Sequence, residues 1–178
     1  MKAEADGKES KETSVTVSDG DSNNPVWNVA LSNKGTAINV EPDGSASGVV
    51  TSETLKGNED GEIEMTLTAP AGAVEAGTQI IVTPIYSTDE VEQAAVRSAV
   101  TKAVGSTLLI GTRVSSSNAS AELQESVTLE YDVDPEIAET ITAQKYVNGQ
   151  WVDAEYTVGT DGKVTVTADQ FTSYSLLC

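Results

Sequence analysis

The stretch EIEMTLTAPAGAVEAGTQIIVTPIY (62–86) decides the fold class. In its first half Ile63, Met65 and Leu67 point one way and Glu62, Glu64, Thr66 and Thr68 the other. A period of two is that of a strand with one face buried and one wet. PAGAVEAG (70–77) interrupts with Pro70, Gly72 and Gly77, residues that turn a chain. TQIIVTPIY (78–86) then resumes as a continuous apolar run, which predicts a strand covered on both faces, at least locally. Two strands joined by a Pro/Gly corner are the unit from which the rest of the chain is read.

Upstream, Val15 and Val17 alternate with Thr and Ser in a short strand at 14–18, ended by SDGDSNNP (18–25). Trp27, Val29 and Leu31 share a face, SNKG (32–35) turns, and Ile38 and Val40 return, so 26–40 reads as a hairpin. EPDGSASG (41–48) reads as a turn cluster before a weaker strand at 49–54.

Downstream, the period changes once. Apolar residues at 91, 95, 96, 99, 100, 103 and 104 follow helical spacing, with Ser87 and Glu90 as a capping box and Gly105 as a stop. The spacing predicts one helix near 88–104. Strands follow at 107–114, at 127–133, and at 141–147 and 150–156 around Asn148-Gly149, whose preference for a type I′ turn predicts a hairpin. Asp161-Gly162 reads as a second such turn before KVTVTA (163–168), and FTSYSLL (171–177) is the last strand.

Composition agrees. Val and Thr each number 21, and both suit a pleated surface. Ile, Leu, Val and Phe make up about 22% of the chain, enough for a thin core. The expectation is an all-β, antiparallel β-sandwich of about ten strands with one inserted helix. Residues 1–12 (MKAEADGKESKE) read as a disordered tail and 13–178 as a single domain. The segment 13–58 has too few large hydrophobes to stand alone.

The same composition excludes chemistry. The net charge is −18, there is no His, and the one Cys is Cys178. Ser-His-Asp and Cys-His catalysis and His-ligated zinc are excluded, as are an internal disulfide and a thiolate metal cage. The field of the chain repels nucleic acid and anionic membranes.

The order of signals resembles a known family. PAGAVEAGTQIIVTP (70–84), LLIGTRV (108–114), LQESVTLEYDV (123–133), YVNGQW (146–151) and ADQFTSYSLL (168–177) succeed one another as in the ZU-five domain. That β-sandwich is shared by zonula occludens proteins, netrin receptors and ankyrins. The likeness covers about 60–178. The family's Leu-x-x-Pro-Val strand has Ser126 in place of Pro. Self-cleaving relatives break between Phe and Ser of His-Phe-Ser, with the His as base and the Ser hydroxyl as nucleophile. Here Gln170, Phe171 and Thr172 occupy those positions. Gln170 accepts no proton near neutral pH, so the resemblance implies a degenerate site that does not cleave. The chain is also similar in style to short surface lipoproteins of gut Bacteroidota, whose mature chains begin with a polar tail. That likeness implies a cell-surface or periplasmic, outer-membrane-anchored location, with the lipid anchor upstream of Met1.

Other candidate residues each have a plain alternative. Asp19, Asp21 and Asn23 match the first ligands of a Ca²⁺ loop. Asn24 and Ala30 stand where an EF-hand needs Gly and Glu, so a solvated turn is the expectation. Glu130, Asp132 and Asp134 are weak Ca²⁺ candidates against a charged strand face that blocks edge pairing. A glycosidase pair of carboxylates would need an aromatic-lined cleft, and the chain has 2 Trp, 5 Tyr and 1 Phe. The aromatics Trp27, Trp151, Tyr86, Tyr131, Tyr146, Tyr156 and Tyr174 offer a sugar-stacking platform, but most sit at core positions of strands. Asn118-Ala119-Ser120 matches a glycosylation sequon, and Cys178 is a terminal thiol able to crosslink or merely fray.

Three functional expectations follow. The first is a non-catalytic surface domain, structural or adhesive, whose partner is a protein or glycan and not nucleic acid. The second is a carbohydrate- or calcium-binding module. The third is a degenerate relative of the self-cleaving domains serving as a protein-interaction scaffold.

Overall fold

In a computed structural model, Ile63, Met65 and Leu67 all face the core while Glu64 and Thr68 stay exposed. The structure describes residues 2–6, 8–12, 31, 34–50, 63–85 and 108–178. The helix expected at 88–104, the strand at 14–18, most of 26–33 and the end of 49–54 lie outside the described residues.

Thirteen strands are described, numbered in chain order. They are β1 (Lys2–Ala3), β2 (Lys11–Glu12), β3 (Thr36–Asn39), β4 (Ala46–Val50), β5 (Glu64–Ala69), β6 (Gln79–Ile85) and β7 (Leu108–Ser116). After β8 (Val127–Asp132) comes a short helix, α1 (Pro135–Ala138). Then follow β9 (Thr142–Val147), β10 (Gln150–Asp153), β11 (Tyr156–Val158), β12 (Lys163–Ala168) and β13 (Ser173–Leu177). One sheet runs β10-β9-β13-β7-β6-β3 and the other β11-β12-β8-β5-β4, with every pairing antiparallel. The inner rows of the two sheets form one core. Ile38, Ile80, Val82, Ile110, Val114 and Leu176 meet Val50, Met65, Leu67, Leu129, Val164 and Val166. The fold is the expected all-β sandwich.

Several local expectations are corrected. The cluster 41–48 is not all turn: β4 begins at Ala46, because Gly48 pairs with Leu67 and lies so close to Ile38 that a Cβ would stand 2.8 Å from its side chain. Glycine is here a packing residue, not a breaker. The single strand expected at 150–156 is two strands, β10 and β11, in different sheets. Between them the chain crosses the sandwich, held by Ala154 N–H to Ala143 O (3.0 Å) and Thr167 N–H to Glu155 O (2.8 Å). Asn148 (φ 50°) and Gly149 (φ 82°) form the expected two-residue turn, with Gln150 opposite Val147. Asp161-Gly162 is not a second copy of it. Only Gly162 has positive φ (85°), and Gly159 N–H to Lys163 O (2.7 Å) closes a longer loop. Helix α1 was not expected, although Asp-Pro-Glu is a start signal: the Asp134 carboxylate accepts from Glu136 N–H at 2.9 Å and Pro135 sits in the first turn. Where a disordered tail is expected, Lys2 pairs with Glu12 and Ala3 with Lys11.

Strand β13 is the keystone of the larger sheet. It lies between β7 and β9, and all five of its residues are buried. Tyr174 and Leu176 face the core, whereas Leu177 on the other side clusters with Ile85 and Leu108.

Candidate functional site

The loop into β13 carries the residues that the sequence singles out as a degenerate cleavage position. Their hydrogen bonds are committed elsewhere. The Tyr174 hydroxyl donates to Gln170 O at 2.8 Å, four residues upstream. A tyrosine near a strand start bonding back to the preceding loop is the tyrosine corner of Greek-key sandwiches. Burial pushes the Tyr174 phenol above its ordinary range. The Thr172 hydroxyl donates to Tyr146 O at 2.5 Å. Phe171 is half-buried against the core. The three residues thus anchor a corner, and the Thr172 hydroxyl lies against a carbonyl in β9.

Beside this corner the inner face of the β9–β10 hairpin overhangs the edge of the core. Lys145 pairs with Val152 and Val147 with Gln150, so these four share one face. Together with Asn148, Asp169 and Gln170 they line a cleft of about 590 Å³. Lys145 Nζ meets the Asp169 carboxylate at 2.5 Å across its mouth. The ion pair, the Thr172 tie and the Tyr174 corner hold the two walls in one arrangement. Sequence reasoning missed the cleft. Its signal was Lys145, a charge in the inward phase of the Ala143–Lys145–Val147 row.

The other candidates do not converge on a site. Asp19, Asp21 and Asn23 lie outside the described residues. Glu130 and Asp132 lie on the outer face of the smaller sheet, with Glu130 paired to Lys163 at 2.5 Å. That bond, then the Glu130 charge, raises the Lys163 ammonium above its ordinary value. The sequence reading set Asp134 on the same strand face, but it lies past the end of β8 and its carboxylate caps α1. Among the described residues no group of three or more carboxylate, His or Cys side chains gathers where it could hold a metal ion.

The aromatics also separate. Tyr131 and Tyr174 belong to the core, and the Tyr156 hydroxyl donates to Ile141 O at 2.9 Å. Tyr146 and Trp151 stand opposite each other on the hairpin face that points away from the cleft, with ring centroids 5.4 Å apart and tilted by 58°. Trp151 is only 2% exposed, so it is no open platform. Trp27 and Tyr86 lie outside the described residues. Asn118 is exposed, its carbonyl accepting from Ser120 N–H (3.1 Å) and its amide donating to Glu75 (3.0 Å). Cys178 is exposed with a free thiol. The sequence matches no protein-family model and no curated protein.

Proposed function

We propose that this chain is a non-catalytic β-sandwich module, structural or adhesive, of a surface-exposed protein. The single observation that carries the reading is the corner at Gln170–Thr172. A cleaving site needs a free hydroxyl aimed at the Phe171 carbonyl and a base to take its proton. Here the Thr172 hydroxyl donates to Tyr146 O, the Gln170 carbonyl receives the Tyr174 hydroxyl, and Gln170 is no base. The same atoms that a self-cleaving ZU-five relative would spend on bond breaking lock β13 into the sheet. This favours a degenerate, non-cleaving member of that type, and it fits a role as a scaffold for a protein or glycan partner. The negative charge, spread over loops and outer strand faces, keeps such a module soluble. Location at the cell surface belongs to the same proposal and rests on the likeness to surface lipoproteins alone.

The test is an intact-mass measurement after prolonged incubation at neutral pH. One species near 18.5 kDa is expected. A fragment ending at Phe171 would overturn the reading.

A further inference from the structure

We infer that the cleft between the β9–β10 hairpin and the β12–β13 corner is a binding site for a neutral saccharide about the size of a disaccharide. In a chain of net charge −18, the lining of this cleft is neutral: Lys145 and Asp169 cancel each other, and the remaining residues are Val147, Asn148, Gln150, Val152 and Gln170. An ionic ligand would have to compete with the existing ion pair for either charge. A neutral ligand need not.

Hydrogen-bonding capacity narrows the class. Three of the lining residues, Asn148, Gln150 and Gln170, have amide side chains that carry both donors and an acceptor, and the Lys145–Asp169 pair adds one charged donor and one charged acceptor. Sugar hydroxyls also donate and accept at once, so several can be satisfied together. Val147 and Val152 supply a small apolar surface for the C–H side of a ring. An extended peptide would instead call for a series of apolar pockets for its side chains, and the apolar residues lining this cleft are only Val147 and Val152. The space over these residues, about 590 Å³, is a groove open to solvent, with Asn148, Gln150 and Asp169 exposed, so it would hold a ligand along one side.

Pre-organisation is the last element. The hairpin is tied to the opposite wall by Lys145–Asp169 and by the Thr172 hydroxyl on Tyr146 O, while Tyr174 holds the Gln170 backbone. Walls held this way lose little freedom when a ligand enters. The inference does not depend on whether the chain is non-catalytic, because its test reads binding and not chain cleavage.

The experiment is amide-detected NMR titration of the intact chain with maltose, cellobiose, lactose and diacetylchitobiose. At least one is expected to give saturable shifts at the side-chain amides of Asn148, Gln150 and Gln170. The affinity should be unchanged between about 50 and 500 mM NaCl, since no net charge is engaged. Gln150→Ala and Gln170→Ala should each weaken it about fivefold, the loss of one hydrogen bond, with the melting temperature retained. Three outcomes would overturn the inference. They are no saturable shift from any of the four up to about 50 mM, shifts that map away from the cleft, or a salt-sensitive preference for digalacturonate or a neutral strand-forming peptide over all four.

Discussion

Tyr174 illustrates how one side chain joins sequence, fold and site. Its ring is buried between the sheets, and its hydroxyl closes the corner four residues upstream. Tyr174→Phe keeps the ring and removes only that bond, leaving Gln170 O without it. The expected cost is about 1–2 kcal/mol, read as a lower urea midpoint at unchanged slope. A variant as stable as the parent would mean that the corner is not a stabilising tie. The Ser173–Leu177 pattern already marks Tyr174 as inward-facing, but the hydroxyl's partner is not legible there. It depends on how the loop 169–172 turns. The same limit applies at Asp134: three carboxylates at alternate positions read as one charged face, yet the chain leaves β8 before Asp134, and its oxygen meets a backbone N–H instead.

At the scale of elements, local periodicity was a good guide to where strands lie and a poor one to how they connect. The Glu64–Ala69 strand and the Asn148-Gly149 hairpin are written in side-chain alternation and in one positive-φ turn, both short-range signals. The 150–156 segment reads as one strand because its residues favour extended backbone throughout. The crossing at Ala154–Glu155 exists only because Ala143 and Thr167 in opposite sheets offer it partners. Strand β13 is the extreme case. Ser173 and Ser175 alternate with Tyr174 and Leu176, yet both are buried, since the strand is central. Removing residues 173–178 should therefore unfold the chain. It strips Tyr174, Leu176 and Leu177 from buried positions, each a loss of about 1.5–3 kcal/mol, and splits the larger sheet into β10-β9 and β7-β6-β3. Loss of amide dispersion in an NMR spectrum checks this. A native-like spectrum of the truncated chain would show that the sheet closes without its middle strand.

At the scale of the whole molecule, two tyrosines set an alkaline limit. Burial pushes the phenols of both Tyr131 and Tyr174 above their ordinary value, with the Thr112 hydroxyl pulling Tyr131 the other way more weakly. The sign follows from linkage. Above pH ~10 the unfolded phenols release protons while the folded ones retain them, so stability is full below that pH and falls as pH rises. Two such groups predict a loss of about 2 kcal/mol between pH ~10 and ~11. Urea melts across that interval check it. The Tyr131→Phe, Tyr174→Phe double variant should show a flatter profile, and an equally steep one would place the alkaline sensitivity elsewhere.

The sequence by itself determined the fold class, the places of most of the described strands, the I′ hairpin and the absence of imidazole chemistry. Those follow from periodicity, turn stereochemistry and residue counts, each a property of a few neighbouring residues or of the whole list. Only the tertiary structure decided that β13 is central, that Gln170 and Thr172 close a corner, and that Lys145 and Asp169 face each other across a cleft. These join residues on different elements through sheet order and strand crossings. In a sandwich, sheet order is set by the burial of two inner faces against each other, which no local window of sequence contains.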